Sequence, residues 1–180
     1  MKKIYLILFI TIIASTTSCE KEVSLNDIPT NNCMMLYSTD NGQSIVDEYN
    51  LSADIDHYSM MFGNINILGH SFDGVNGIFI TEAPIAIIGP KTFGNSLYHE
   101  YMTSITVPNS VRVIGEEAFS QCHNLHTVYC KPTTPPKSDN FGYGFSRAVR
   151  CIYVPMQSRD AYIAAEGWKK YADKIVGYDF

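Results

Sequence analysis

The sequence predicts a mainly β protein: a short solenoid of stacked coils, closed by a β-hairpin cap at its N-terminal end and a helical cap at its C-terminal end. Three observations predict it. Two nine-residue runs repeat at a fixed offset, a strand-like triplet recurs beside them at a similar step, and the composition favours strands. Of 180 residues, 46% are hydrophobic and 17% are charged, the latter below the roughly 25% usual in soluble domains. Twelve tyrosines, with many Ile and Val, suit half-buried strands.

The repeat is read directly. Ile85 to Phe93 is IAIIGPKTF and Val111 to Phe119 is VRVIGEEAF, 26 residues later. Ile88-Gly89 matches Ile114-Gly115, and Phe93 matches Phe119. The same step again reaches Phe145, with Phe141 as an equal candidate. Beside this ladder, Ile105-Thr106-Val107-Pro108 recurs as Val128-Tyr129-Cys130 and as Ile152-Tyr153-Val154-Pro155, at steps of 23 and 24 residues. A step of about 20 to 30 residues is that of leucine-rich repeats rather than of helical pairs. Each strand is too short to bury its apolar face alone, so stacking has to supply the partner. Burying one such side chain contributes about 1.5 to 3 kcal/mol. Gly89 and Gly115 allow a turn where a Cβ would clash.

The elements follow in order. Residues 1–18 read as a targeting segment: Lys2 and Lys3 give a positive start, and Ile4 to Ala14 is an apolar run of eleven. A spanning helix needs about 20 apolar residues, so this run is short for an anchor. Small residues, Ser15 to Ser18, then precede Cys19, which resembles a lipoprotein signal; the alternatives are an ordinary cleaved signal and a retained anchor. The resemblance implies lipid on the Cys19 thiol and a new N-terminus there. Two or more acyl chains hold a membrane durably where one holds it marginally. Residues 19–32 read as a polar linker from the lipid, with Pro29.

Residues 33–84 are expected to form the N-terminal β cap, with a hairpin turning at Asp73 to Gly77. The leucine-rich-repeat-like β-solenoid is expected over 85–155 and the helical cap over 156–180. In that cap Ser158 is the N-cap candidate, and Tyr162, Ala165, Trp168 and Tyr171 recur at helical spacing. Trp168 reads as core.

Charge excludes one class of partner. The formal net charge is −5, and removal of Lys2 and Lys3 would leave 11 basic side chains against 18 acidic. Nucleic-acid binding needs a basic face, so it is not expected.

Chemistry-bearing patterns are sparse. Cys122-His123…His126…Cys130 has zinc-type ligands, but the strand phase turns Cys122, Leu125, Val128 and Cys130 inward and both histidines outward. Glu116 and Glu117 are neighbours in a turn, where carboxylates solubilise rather than converge. His57, His70 and His99 have no ligand spacing, and no Gly-x-Ser-x-Gly elbow or phosphate loop is present. No catalytic residue, metal or cofactor is therefore expected. Cys33, Cys122, Cys130 and Cys151 read as unpaired core thiols, although export would permit disulfides. Pro132 to Pro136 shapes the loop leaving the strand at Cys130. Tyr98, Tyr101, Tyr129, Tyr143 and Tyr153 fall partly on outward positions and form the candidate binding surface. Exposed Tyr is common in recognition; the plain alternative is that these rings fill the edges of a thin solenoid.

The run Ile105 to Pro136, ITVPNSVRVIGEEAFSQCHNLHTVYCKPTTPP, resembles the BspA-like leucine-rich repeats of Bacteroidota surface proteins. Ile152 to Phe180 resembles the C-terminal closure of that family, and Ile65 to Pro84 is similar to the strands that precede its repeats. The resemblance implies a curved solenoid on a lipoprotein anchored in the outer membrane and exposed at the cell surface. It implies adhesion-type binding of a protein or glycan and no catalytic residue. A monomer is expected. The rival readings are a structural or accessory subunit of an envelope complex, and an enzyme whose site assembles only on folding.

Overall fold

The computed structural model describes residues 31–46, 61–93, 99–137 and 144–180. Among the described residues nine strands form in chain order: β1 Met34–Thr39, β2 Ile67–Phe72, β3 Asn76–Thr81, β4 Ile87–Ile88, β5 Met102–Val107, β6 Val113–Ile114, β7 Thr127–Cys130, β8 Cys151–Pro155 and β9 Ile175–Tyr178. A helix, α1, covers Arg159–Ala164. Seven strands make one sheet in the order β2-β3-β1-β5-β7-β8-β9, while β4 and β6 pair separately in parallel.

The expected solenoid between separate caps is not what forms. The chain builds one mixed sheet. β2, β3, β1 and β5 pair antiparallel, and β5, β7, β8 and β9 pair parallel. The physical reason lies at β5. Its edge away from β7 would leave backbone groups unpaired, and β1 covers it with the register Leu36↔Thr106 and Tyr37↔Ile105. The N-terminal strands therefore continue the sheet instead of capping a stack.

The helical cap also needs correction. α1 is only six residues long, and a 3₁₀ segment, Lys169–Lys174, follows it before the chain returns to strand as β9. The helix ends where Ala165 turns extended, at ψ 139°, and Gly167, at φ +80°, lies in the turn that follows. Ser158 occupies the N-cap position, but its hydroxyl makes no capping bond.

The repeat spacing has a counterpart inside the sheet. Ile105, Val128, Ile152 and Ile175 lie opposite one another across the parallel strands, and all are buried. Across the core, Ile88 pairs with Ile114. Phe93, Phe119 and Phe145 stack with centroids 5.1 and 5.2 Å apart, so Phe145 takes the third place and Phe141 lies outside the described residues. Backbone bonds tie successive turns together: Phe93 N–H donates to Ala118 C=O, and Phe119 N–H to Gly144 C=O. Lys91 and Glu117, 26 residues apart, both have positive φ, so the turn conformation repeats with the sequence. At Gly115 a Cβ would fall on the backbone of Gly89 and Pro90, which is why glycine stands where the two Ile-Gly turns meet.

Between Asp73 and Gly77 the hairpin forms as β2–β3. The Asp73 carboxylate accepts from the N–H of Val75 and Asn76, at 2.9 and 2.7 Å, and those bonds hold its pKa below the usual carboxylate value.

Candidate binding face

Strand alternation sends one side chain in two into the core and its neighbour to the other face of the sheet. On β7 and β8 the buried positions are Val128, Cys130, Ile152 and Val154, which leaves Tyr129 and Tyr153 on the outer face. The ladder register extends that face into a row. Ile78 lies opposite Leu36, Leu36 opposite Thr106, Thr106 opposite Tyr129, Tyr129 opposite Tyr153, and Tyr153 opposite Val176. Six strands contribute one residue each, and only Thr106 is not apolar or aromatic. Leu36 and Val176, near the two ends, are 40% and 43% exposed.

A parallel row beside it is small and polar: Asn76, Ser38, Ser104, Thr127 and then Cys151. The apolar stripe is thus bounded along one side by hydroxyls and an amide. Polar groups rimming an apolar strip are the usual anatomy of a recognition surface.

The tyrosines brace one another. Tyr129 and Tyr153 stack with centroids 5.2 Å apart and planes 14° from parallel. Tyr178 meets Tyr153 edge-on at 5.2 Å and Tyr129 at 6.3 Å. Phe180 continues the cluster 5.1 Å from Tyr178, with the Lys131 ammonium 5.8 Å from its ring centre. Such pairs favour offset or edge-to-face geometry and limit the rings' freedom before any ligand arrives.

Of the five tyrosines expected on a binding surface, the structure brings together Tyr129 and Tyr153. Tyr101 stands in the 3₁₀ turn His99–Tyr101 before β5, five residues ahead of Thr106, so it does not join their row. Tyr98 and Tyr143 lie outside the described residues, as does Cys19. Sequence reasoning missed Leu36, Val176, Tyr178 and Phe180. Reading 156–180 as helix hid β9, yet a step of 23 from Ile152 lands on Ile175, and its strand phase puts Val176 and Tyr178 outward.

Reactive groups lie elsewhere. Cys122 and Cys130 are fully buried, and burial raises both thiols, Cys130 to about 12. All four described cysteines are free. His123 is exposed and His126 half-buried while Cys122 and Cys130 face the core, so those four do not converge. No group of three His, Cys, Asp or Glu side chains gathers among the described residues. Glu117 reaches the Lys91 ammonium at 3.8 Å across the turns.

One relay does form. Tyr37 Oη lies 2.9 Å from both Ser44 Oγ and His70 Nε2, and the His70 ring stacks on Tyr37. Burial pushes the His70 pKa down to about 4, so the ring is neutral at pH 7. The phenol stands between the serine and the imidazole, so the imidazole does not touch the hydroxyl it would have to activate. His70 Nδ1 is buried without a hydrogen-bond partner.

The loop after β7 is held at both ends. Tyr162 Oη donates to Pro132 C=O at 2.7 Å and Trp168 Nε1 donates to Pro136 C=O at 2.9 Å. Trp168 is fully buried, edge-on to Tyr162 at 4.8 Å. No helix among the described residues is long and apolar enough to cross a membrane. Compared with known proteins, the chain matches no family model and no curated protein.

Proposed function

We propose that this chain is a cell-envelope lipoprotein, tethered to the outer membrane through Cys19 and exposed at the surface, whose sheet face binds a protein or glycan without catalysing a reaction. The observation that carries the reading is the row Ile78–Leu36–Thr106–Tyr129–Tyr153–Val176, which presents rigid aromatic and aliphatic groups on one side of a continuous sheet. Aromatic anchors that are already braced lose little freedom on binding. The export-type segment ahead of Cys19 and the resemblance of Ile105 to Pro136 to BspA-like surface proteins support the location. Low thiol acidity at Cys122 and Cys130, and a neutral His70 shielded behind Tyr37, support binding rather than chemistry.

The experiment has two arms. Cys19→Ala should move the protein from the detergent phase to the aqueous phase, and protease applied to intact cells should cleave the native chain. The chain displayed on beads should capture a ligand from a set of matrix proteins, envelope proteins and glycans. Tyr129→Arg should abolish that capture by placing a charge on the stripe. A Cys19→Ala protein that still partitions into detergent would end the tether, and capture indifferent to Tyr129→Arg would end the face.

A further inference from the structure

At one end of the sheet a cleft of about 630 Å³ opens, within the range of small-ligand sites. The parallel strands all finish there, and the residues just beyond their ends supply its rim. Asn109 follows β5, Lys131 follows β7, Gln157 follows β8 and Asp179 follows β9. Tyr178 and Phe180 form an aromatic wall, 44% and 50% exposed, with their rings 67° apart in plane.

The frame of this cleft is fixed by backbone contacts. Lys131 N–H donates to Val107 C=O at 3.0 Å, and the next residue, Pro132, is held by Tyr162. Asn32, at the opening of β1, accepts at its carbonyl from Ile85 N–H and Ser110 Oγ. β9 lies so close to the chain after β8 that a Cβ on Gly177 would stand 2.8 Å from Met156 Sδ and 3.2 Å from Met156 Cα. Tyr178 is therefore carried by a strand with little room to shift.

The chemistry of the lining selects a ligand class. Three amides, Asn32, Asn109 and Gln157, and the Thr133 hydroxyl offer donors and acceptors together, Lys131 only donors, and Asp179 only acceptors. Among the lining side chains, one cation and one anion leave no excess of either sign for a charged ligand. The aromatic wall needs an apolar face to stack on. An extended peptide would want a run of strand edge, and the cleft sits beyond the strand ends instead. A pyranose ring meets both demands: its C–H face is apolar, and its hydroxyl edge both donates and accepts.

We propose that this cleft binds a neutral pyranoside, stacked on Tyr178 against Phe180, with its hydroxyls bonded by Asn109, Lys131, Gln157 and Asp179. The proposal rests on the reading of this chain as a binding module and names a glycan as the ligand at this end of its face.

The test uses the full chain in detergent against neutral gluco-, manno-, galacto- and xylo-oligosaccharides, with binding followed by calorimetry and by saturation transfer to the sugar protons. At least one series should bind. Tyr178→Ala should weaken it about tenfold, the size of a lost aromatic contact at a binding site. Phe180→Ala and Asp179→Asn should weaken it less. Leu68→Ala, on the opposite edge strand, should leave it unchanged. Binding only to uronic-acid oligosaccharides or phosphate, or binding insensitive to Tyr178→Ala, would overturn the proposal. So would silence towards every neutral series at about 10 mM, a generous ceiling for a single sugar site. In that event, a protein ligand captured by the native chain and lost in Tyr129→Arg would leave the binding-module reading standing, whereas no capture of any kind would end both.

Discussion

Acidification should loosen this fold through a single imidazole. His70 sits on β2 with its ring against Tyr37 and Phe79, and burial lowers its pKa from the ordinary 6.5 to about 4. The unfolded chain takes up a proton at this site below pH 6.5, while the folded chain refuses it until about pH 4. Stability therefore falls as pH drops through that window, and the site contributes nothing to the pH dependence above it. A gap of about 2.5 between the two values, at 1.36 kcal/mol each, sets a ceiling of roughly 3 kcal/mol. The ring is only half-buried, so water reduces the realised loss to about 2 kcal/mol. Carboxylates titrate in the same range, so the assay is a difference: urea denaturation of the native chain and of His70→Gln at several pH values from about 7.5 to 4. The native curve should fall more steeply than that of the variant between pH 6.5 and 4. Parallel curves would refute the claim that His70 is held neutral by its surroundings.

Other predictions concern the core and its turns. Phe119→Ala, in the middle of a three-ring stack and fully buried, should cost about 3 to 5 kcal/mol in urea unfolding. Gly115→Ala should destabilise by more than about 1 kcal/mol, because the added methyl meets the backbone of Gly89 and Pro90 rather than a movable side chain; melting temperature reports it. Tyr162→Phe should cost about 1 to 2 kcal/mol, since the Pro132 carbonyl loses its buried donor at 2.7 Å, and hydrogen exchange around β7 should quicken.

Much of this architecture was legible in the sequence as local pattern. Alternation in Ile105 to Val107 and Val128 to Cys130 marks strands, and the 26-residue offset pairs Ile88 with Ile114 and Phe93 with Phe119. The overall architecture was not legible, because sheet edges are a non-local matter. Nothing in Met34 to Thr39 says that this strand will enter between β3 and β5 and turn the assembly into one mixed sheet. Helical spacing in Tyr162, Ala165, Trp168 and Tyr171 was equally misleading about length. The rings do share an inner side, but the helix ends at an extended Ala165, a 3₁₀ segment replaces it, and β9 follows. Two of the six residues in the outer-face stripe, Tyr129 and Tyr153, were readable from strand phase. The other four depended on cross-strand register, which brings Ile78, Leu36, Thr106 and Val176 into line from distant parts of the chain.

The most direct measurement is the affinity of the captured ligand for the native chain and for the double variant Tyr129→Ala/Tyr153→Ala, with melting temperature followed in parallel. Both rings lie on the outer face, so the fold should survive their loss. Two aromatic anchors at the centre of a contact typically account for at least about 2 kcal/mol, so the dissociation constant should rise some thirtyfold while the melting temperature stays within a few degrees. An unchanged dissociation constant in a folded double variant would contradict the account.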